Sequence, residues 1–295
     1  MDYLFMFFAI VSFSAQSIFT KKYQIKSSGG VYYGAFYSMV YGLILCMAFF
    51  MLSSFKISFT FEAVLWALIY AVSTVLCQIC VIVALQKGSV GIVSMFSLSG
   101  GLIIPFMAGV LFWDESIGKF KIIGCILIIL AFIYKNLSDR KEEKSNMLFV
   151  LLCSVIFLTN GFVSVASKAH QISANRVGTN NFLFICTALT TVVSFLIVVL
   201  SYRKNRIENI NVQRFKITYL LFIFGYALMN GVGNYFSLTA AKTLDASIQF
   251  PILSALIVCI TSVIAFVVFK EKLRKRDVIA IAVNVIGITC FIFAI

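Results

Sequence analysis

Apolar runs of roughly 20 residues follow one another along the whole chain, separated by loops too short to form a soluble domain. A run of that length crosses the ~30 Å hydrocarbon core of a bilayer as a helix. Backbone polar groups inside a bilayer must be satisfied internally, so helices are the element these runs can form. Ten are expected, near residues 3–20, 31–53, 63–85, 90–113, 120–136, 147–166, 181–201, 217–240, 247–269 and 277–295. The composition agrees: 61% of the 295 residues are hydrophobic and only 12% charged. The first run lacks a basic leader and a small-residue cleavage site, so a retained helix is expected there. The fold class that follows is an all-α polytopic membrane protein.

The net charge of +13 raises the question of nucleic acid, which the placement of the charges excludes. Of the 24 Lys and Arg, 18 fall after odd-numbered runs and 6 after even-numbered ones. The positive-inside rule explains that asymmetry and puts the loops after odd-numbered runs in the cytoplasm, with both termini outside. The expected partners are membrane lipids and a small molecule, the chain being a monomer or a homodimer. The 8 Cys are scattered through apolar stretches, and the only close pair, Cys77 and Cys80, has no second ligand pair. With a single His, His170, no metal cluster is expected, and no cofactor.

Within the apolar runs, one polar pattern occurs twice. Tyr70, Thr74 and Gln78 are spaced i, i+4, i+8, and so are Tyr226, Asn230 and Asn234, which follow 156 residues later. That spacing keeps each set on one face of a helix. At the same offset Ala84, Ile92, Glu115 and Ile123 match Ala240, Ile248, Glu271 and Ile279. Offset by 147, Ser17, Lys21, Gln24 and Ile25 match Ser164, Lys168, Gln171 and Ile172. The charged stretch 139–146 divides the chain into a first repeat, 1–138, and a second, 147–295. Each repeat holds five runs. Five is odd, so the second repeat enters the membrane from the opposite side, giving two inverted five-helix repeats around a central cavity.

Each half also carries an apolar helix ending in a short Glu-bearing turn, then a helix of small residues. The first copy reads Leu111-Phe112-Trp113-Asp114-Glu115, followed by Gly124; the second reads Val268-Phe269-Lys270-Glu271-Lys272-Leu273, followed by Gly287. Phe250-Pro251-Ile252 opens the helix before the second copy. In these features the chain resembles the EamA family of the drug/metabolite transporter superfamily, over nearly its whole length. The resemblance implies inverted five-helix bundles, a central cavity and secondary transport by alternating access. Many members are drawn with both termini in the cytoplasm, the reverse of what the charge count gives here. Small multidrug resistance proteins, a smaller branch, use a carboxylate in the first helix. This chain has Ser12, Ser14, Gln16 and Ser17 there and no acidic residue, which argues against drug-cation antiport of that kind.

Polar side chains inside a span are costly unless they face protein or water, and they mark pathways. The candidate substrate-binding residues are therefore the two ladders, Tyr70, Thr74, Gln78, Tyr226, Asn230 and Asn234. Gln16, Asn160, Ser97 and Gln249 join them, with Ser94 sharing the face of Ser97. Asn160 precedes Gly161, which allows a close backbone approach. Glu115 and Glu271 are expected at helix starts, where a carboxylate complements the dipole. Lys21 and Lys168 are expected to snorkel to the interface, Lys242 to pair with Asp245, Asn284 to pack between helices, and Pro105 to kink its span. No intramembrane acid pair or activated nucleophile supports an enzyme. The function expected is secondary, ATP-independent transport of a small polar metabolite such as an amino acid or amine. The alternative is a lipid-linked phosphate flippase. Compact loops and a composition rich in Lys, Ile, Phe and Asn point to a bacterial plasma membrane.

Overall fold

The computed structural model describes residues 1–26, 30–87, 90–136, 147–207, 217–269 and 275–293. Every regular element among them is an α-helix: α1 (Asp2–Lys26), α2 (Val31–Leu52), α3 (Phe61–Ala84), α4 (Val90–Phe112), α5 (Lys119–Asn136), α6 (Met147–Ile172), α7 (Thr179–Ile207), α8 (Ile217–Ala240), α9 (Ala246–Phe269) and α10 (Lys275–Ile292). Eight of these, all but α5 and α10, are long and apolar enough to cross a membrane. α10 contains a shorter apolar stretch, Val278–Phe291. α5 has 18 residues, about 27 Å of helix. The helix ends follow the apolar runs closely except in α1, α6 and α7, which continue past them. The added turn of α6 carries Lys168, His170 and Gln171, all buried. Hydropathy ends the run there; hydrogen bonds within the protein let the helix go on.

Each helix of the first half packs mainly on the second half: α1 on α8, α2 on α7, α3 on α6, α4 on both α6 and α9, α5 on α10. α9 packs in turn on α1. Exchanging α1 to α5 for α6 to α10 returns the same set of pairs.

Inside lipid there is no hydrophobic gain from bringing helices together, so close packing and polar bonds must do it. Glycines supply the close packing. A Cβ added to Gly124 of α5 would lie 2.8 Å from the backbone oxygen of Gly287 in α10, and one on Gly287 would lie 3.1 Å from the Gly124 oxygen. The small residues of the two sequence copies are thus the crossing point of the α5–α10 pair. Between α4 and α6, an added Cβ on Gly100 would strike the backbone of Phe157, and one on Gly161 the side chain of Ile104. Gly124→Ala should accordingly destabilise the protein by about 2 kcal/mol, the cost of overpacking a filled contact. Gly118→Ala, where nothing lies within 4 Å, should be neutral. Thermal unfolding of the two variants in detergent compares them directly.

Candidate functional site

The two polar ladders meet. The Tyr70 hydroxyl donates to Asn234 Oδ1 at 3.2 Å, and Gln78 Nε2 donates to the Tyr226 hydroxyl at 3.1 Å. α3 and α8 are therefore bonded rung to rung across the bundle. Asn230 Nδ2 reaches Gln16 Oε1 of α1 at 2.9 Å and, more weakly, the Tyr226 hydroxyl at 3.4 Å. Asn234 Nδ2 donates to both the backbone oxygen and Oδ1 of Asn230, each at 2.9 Å. A backbone oxygen only accepts, so this last contact fixes the Asn234 amide. That in turn fixes Asn230, whose Oδ1 takes the Asn234 proton and whose Nδ2 must face Gln16. Six of the ten predicted site residues form this one network, and none of the six is charged.

A wall of tyrosines encloses it. Tyr226 packs edge-on or tilted against Tyr37 and Tyr41 of α2, with ring centroids 5.0 and 5.2 Å apart. Tyr37 continues to Tyr23 of α1 at 4.7 Å, and Tyr23 to Tyr219 of α8 at 5.8 Å. The α2 tyrosines were missed by the sequence reading, although Tyr33, Tyr37 and Tyr41 carry the same i, i+4, i+8 spacing as the ladders. Tyrosine reads as an interfacial residue, with an apolar body and a wet tip, which hides it among apolar neighbours. The network is not saturated. The hydroxyls of Thr74 and Tyr41 are buried without a hydrogen-bond partner among the described residues. Buried hydroxyls in native proteins are nearly always paired, with protein, water or ligand.

The remaining predicted residues lie apart from this network. Asn160 Nδ2 donates to the backbone oxygen of Ser97 at 2.6 Å, tying α6 to α4 beside the Gly100 and Gly161 contacts. Gln249, fully buried on α9, donates to the Ser237 backbone oxygen of α8 at 2.8 Å, and its Oε1 has no partner among the described residues. Asn284 is fully buried in α10, with both amide atoms unpartnered among those residues. The side chain of Ser94, like Glu271, lies outside the described residues.

Three charged residues instead converge on the turn between α8 and α9. Lys168 does not snorkel: it is 4% exposed, and its ammonium donates to the backbone oxygens of Ala241 at 2.8 Å and Leu244 at 2.6 Å. It thereby caps the carbonyl end of α8. Glu115 does sit at a helix start, but at that of α9, not of its own α5. Its two carboxylate oxygens accept from the backbone N–H groups of Ala246 and Ser247, each at 2.7 Å. Asp114, at φ 52°, turns the chain so that this side chain folds back over Gly109, where any Cβ would collide with it. Asp245 pairs not with Lys242 but with Lys121 of α5, at 3.4 Å; Lys121 also donates to Ser247 Oγ at 3.1 Å. Lys242 is left exposed.

Comparison with known proteins agrees with this architecture. No curated protein matches the sequence. A solved structure, titled simply "Crystal structure of protein", is similar with a TM-score of 0.74 at 14% identity, covering 99% of this chain and 96% of the other. At that identity the likeness concerns the fold alone. The EamA-like transporter family matches residues 1–137 and again residues 144–293. With nearly all of the sequence matched in these two stretches, the chain belongs to the EamA-like transporter family.

Proposed function

We propose that this transporter carries a small polar metabolite, such as an amino acid or an amine, by alternating access without ATP. The observation that carries the reading is the α1–α3–α8 network, where polar side chains from both halves meet beside the unfilled hydroxyls of Thr74 and Tyr41. A substrate entering there meets amides and hydroxyls but no charge within the network, so a neutral or zwitterionic molecule suits it better than a bare cation. The inverted repeat is supported by the helix pairing, which survives exchange of the halves. The concentration of Lys and Arg in the loops after odd-numbered helices supports a cytoplasmic position for those loops and external termini. We place the protein in a bacterial plasma membrane, with α5 and α10 spanning alongside the other eight helices.

Counterflow in proteoliposomes, screened across amino acids, amines and nucleosides, tests the reading. Saturable uptake of one such class, independent of ATP, is the expected result. Uptake of none of them, with movement of a polyprenyl phosphate instead, would replace this reading with lipid flipping.

A further inference from the structure

Six helices sort into two groups that the exchange of halves turns into each other. α3 and α4 pack on α6, and α8 and α9 pack on α1. Two side-chain bonds bridge α3 and α8 from one group to the other, Tyr70 to Asn234 and Gln78 to Tyr226. At the 156-residue offset Tyr70 matches Tyr226 and Gln78 matches Asn234, so each bond is the repeat image of the other. They lie at different depths. Tyr70–Asn234 is toward the start of α3 and the end of α8, and Gln78–Tyr226 toward the end of α3 and the start of α8. The eight residues from Tyr70 to Gln78 separate the two bonds by about 12 Å along α3. Thr74 and Asn230, the middle rungs, lie between them. With both bonds made, this middle level is closed at either end, and the Thr74 hydroxyl there is buried.

A second closure stands beyond the Tyr70–Asn234 bond. Lys168 of α6 holds the backbone oxygens of Ala241 and Leu244, and Glu115, from the turn after α4, holds the N–H groups of Ala246 and Ser247. Both reach from the α3 group to the α8 group. Ala241 follows Asn234 by seven residues, about 10 Å of helix, so the two closures act in series at that end. We infer that Tyr70–Asn234 and Gln78–Tyr226 are the two inner gates of the carrier. The first parts when the end of α8 opens, the second when its start opens, and Thr74, Asn230 and Gln16 face each side in turn. The described conformation, with both gates made, is occluded. Rocking one group against the other lengthens contacts at one end and keeps those at the other, so bonds at two depths break one at a time. Such a gate opens at little cost: one hydrogen bond between membrane helices shifts an equilibrium by about threefold. The inference rests on the alternating access of the reading above and assigns the residues that alternate.

The test places a reporter between the gates. Thr74→Cys in the full-length protein is treated with a membrane-impermeant methanethiosulfonate, in spheroplasts and in inside-out vesicles. The same variants with Thr74 intact correct for the native cysteines. Tyr70→Phe should raise the rate of labelling about threefold from one face of the membrane, and Tyr226→Phe about threefold from the opposite face. Gln78→Leu breaks the same gate as Tyr226→Phe and should act from the same face. A residue that merely holds the bundle together would loosen both faces alike. Faster labelling from the same face in Tyr70→Phe and Tyr226→Phe, an equal rise from both faces, no rise, or opposite effects of Gln78→Leu and Tyr226→Phe would each overturn the inference. No solute is added, so the result is independent of the counterflow screen. Opposite-face labelling in a protein that carries none of the screened solutes would keep the gates and overturn the small-metabolite reading. Uptake of one class with same-face labelling would keep that reading and overturn the gates.

Discussion

Asn230→Leu should lower the initial rate of substrate uptake about thirtyfold while the protein still folds and inserts. Asn230 ties α8 to α1 at the centre of the network: it accepts from Asn234, donates to Gln16, and lies within weak reach of the Tyr226 hydroxyl. Bonds of this kind between membrane helices stabilise by about 0.6 kcal/mol each, so losing all of them costs about 2 kcal/mol at most. Function depends on them more heavily. If substrate replaces the internal partners of this network, each lost hydrogen bond weakens its binding by about 1 kcal/mol, and two amount to about thirtyfold. The isosteric change also leaves the amide of Asn234 and the oxygen of Gln16 facing a hydrocarbon, which deters a polar substrate further. Tyr226→Phe keeps the ring against Tyr37 and Tyr41 and removes only the hydroxyl, so its loss should be smaller. Uptake in proteoliposomes, with a melting curve for each variant, separates the two effects. Near-normal uptake by Asn230→Leu would remove the ladders from the transport route.

Much of this site was legible because a bilayer makes polarity conspicuous. A soluble helix bearing Tyr, Asn and Asn on one face would pass as a solvated surface; in α8 the same residues must meet something polar. The i, i+4, i+8 spacing then gave the face, and the offset between the halves gave the partner helix. The contact itself, Tyr70 to Asn234 and Gln78 to Tyr226, was beyond reach, because spacing along a helix says nothing about rotation toward a neighbour. The α2 tyrosines escaped for a different reason: their polar atom is one in a large apolar side chain. Lys168 was misplaced for a third. A lysine near the end of an apolar run has a ready explanation in snorkelling, and only the tertiary fold shows that Ala241 and Leu244 turn their oxygens toward it. Glu115 was placed at a helix N-terminus, and it is at one, but spacing could not say that the helix would be α9 of the other half. Its own backbone turn, with Asp114 in the left-handed region, sends the side chain away from α5 and across to the other half.

That crossing makes Glu115→Ala the substitution with the largest expected effect on stability. The carboxylate receives the first two N–H groups of α9, at 2.7 Å each, a position that an N-cap side chain would ordinarily fill. Asp245, the residue at the cap position, has its carboxylate turned to Lys121 instead. No local residue therefore replaces Glu115 when it is removed. Hydrogen bonds to a charged group contribute about 1.5–3 kcal/mol each, and donors left bare at a helix start add to the cost. A loss of about 3–4 kcal/mol is expected, read as a lower melting temperature in detergent and a lower yield of folded protein. Glu115→Gln keeps one acceptor and loses the charge, so it should fall between the two. Asp245→Ala is the comparison that decides the cause. Its pair with Lys121 is 3.4 Å long and the Asp245 side chain is 46% exposed, so by the usual worth of such pairs it should cost less than about 1 kcal/mol. Equal losses from Glu115→Ala and Asp245→Ala would mean that the α8–α9 turn is held by charge at large. A loss several times greater from Glu115→Ala would assign the hold to the cap, one carboxylate of the first half closing the helix of the second.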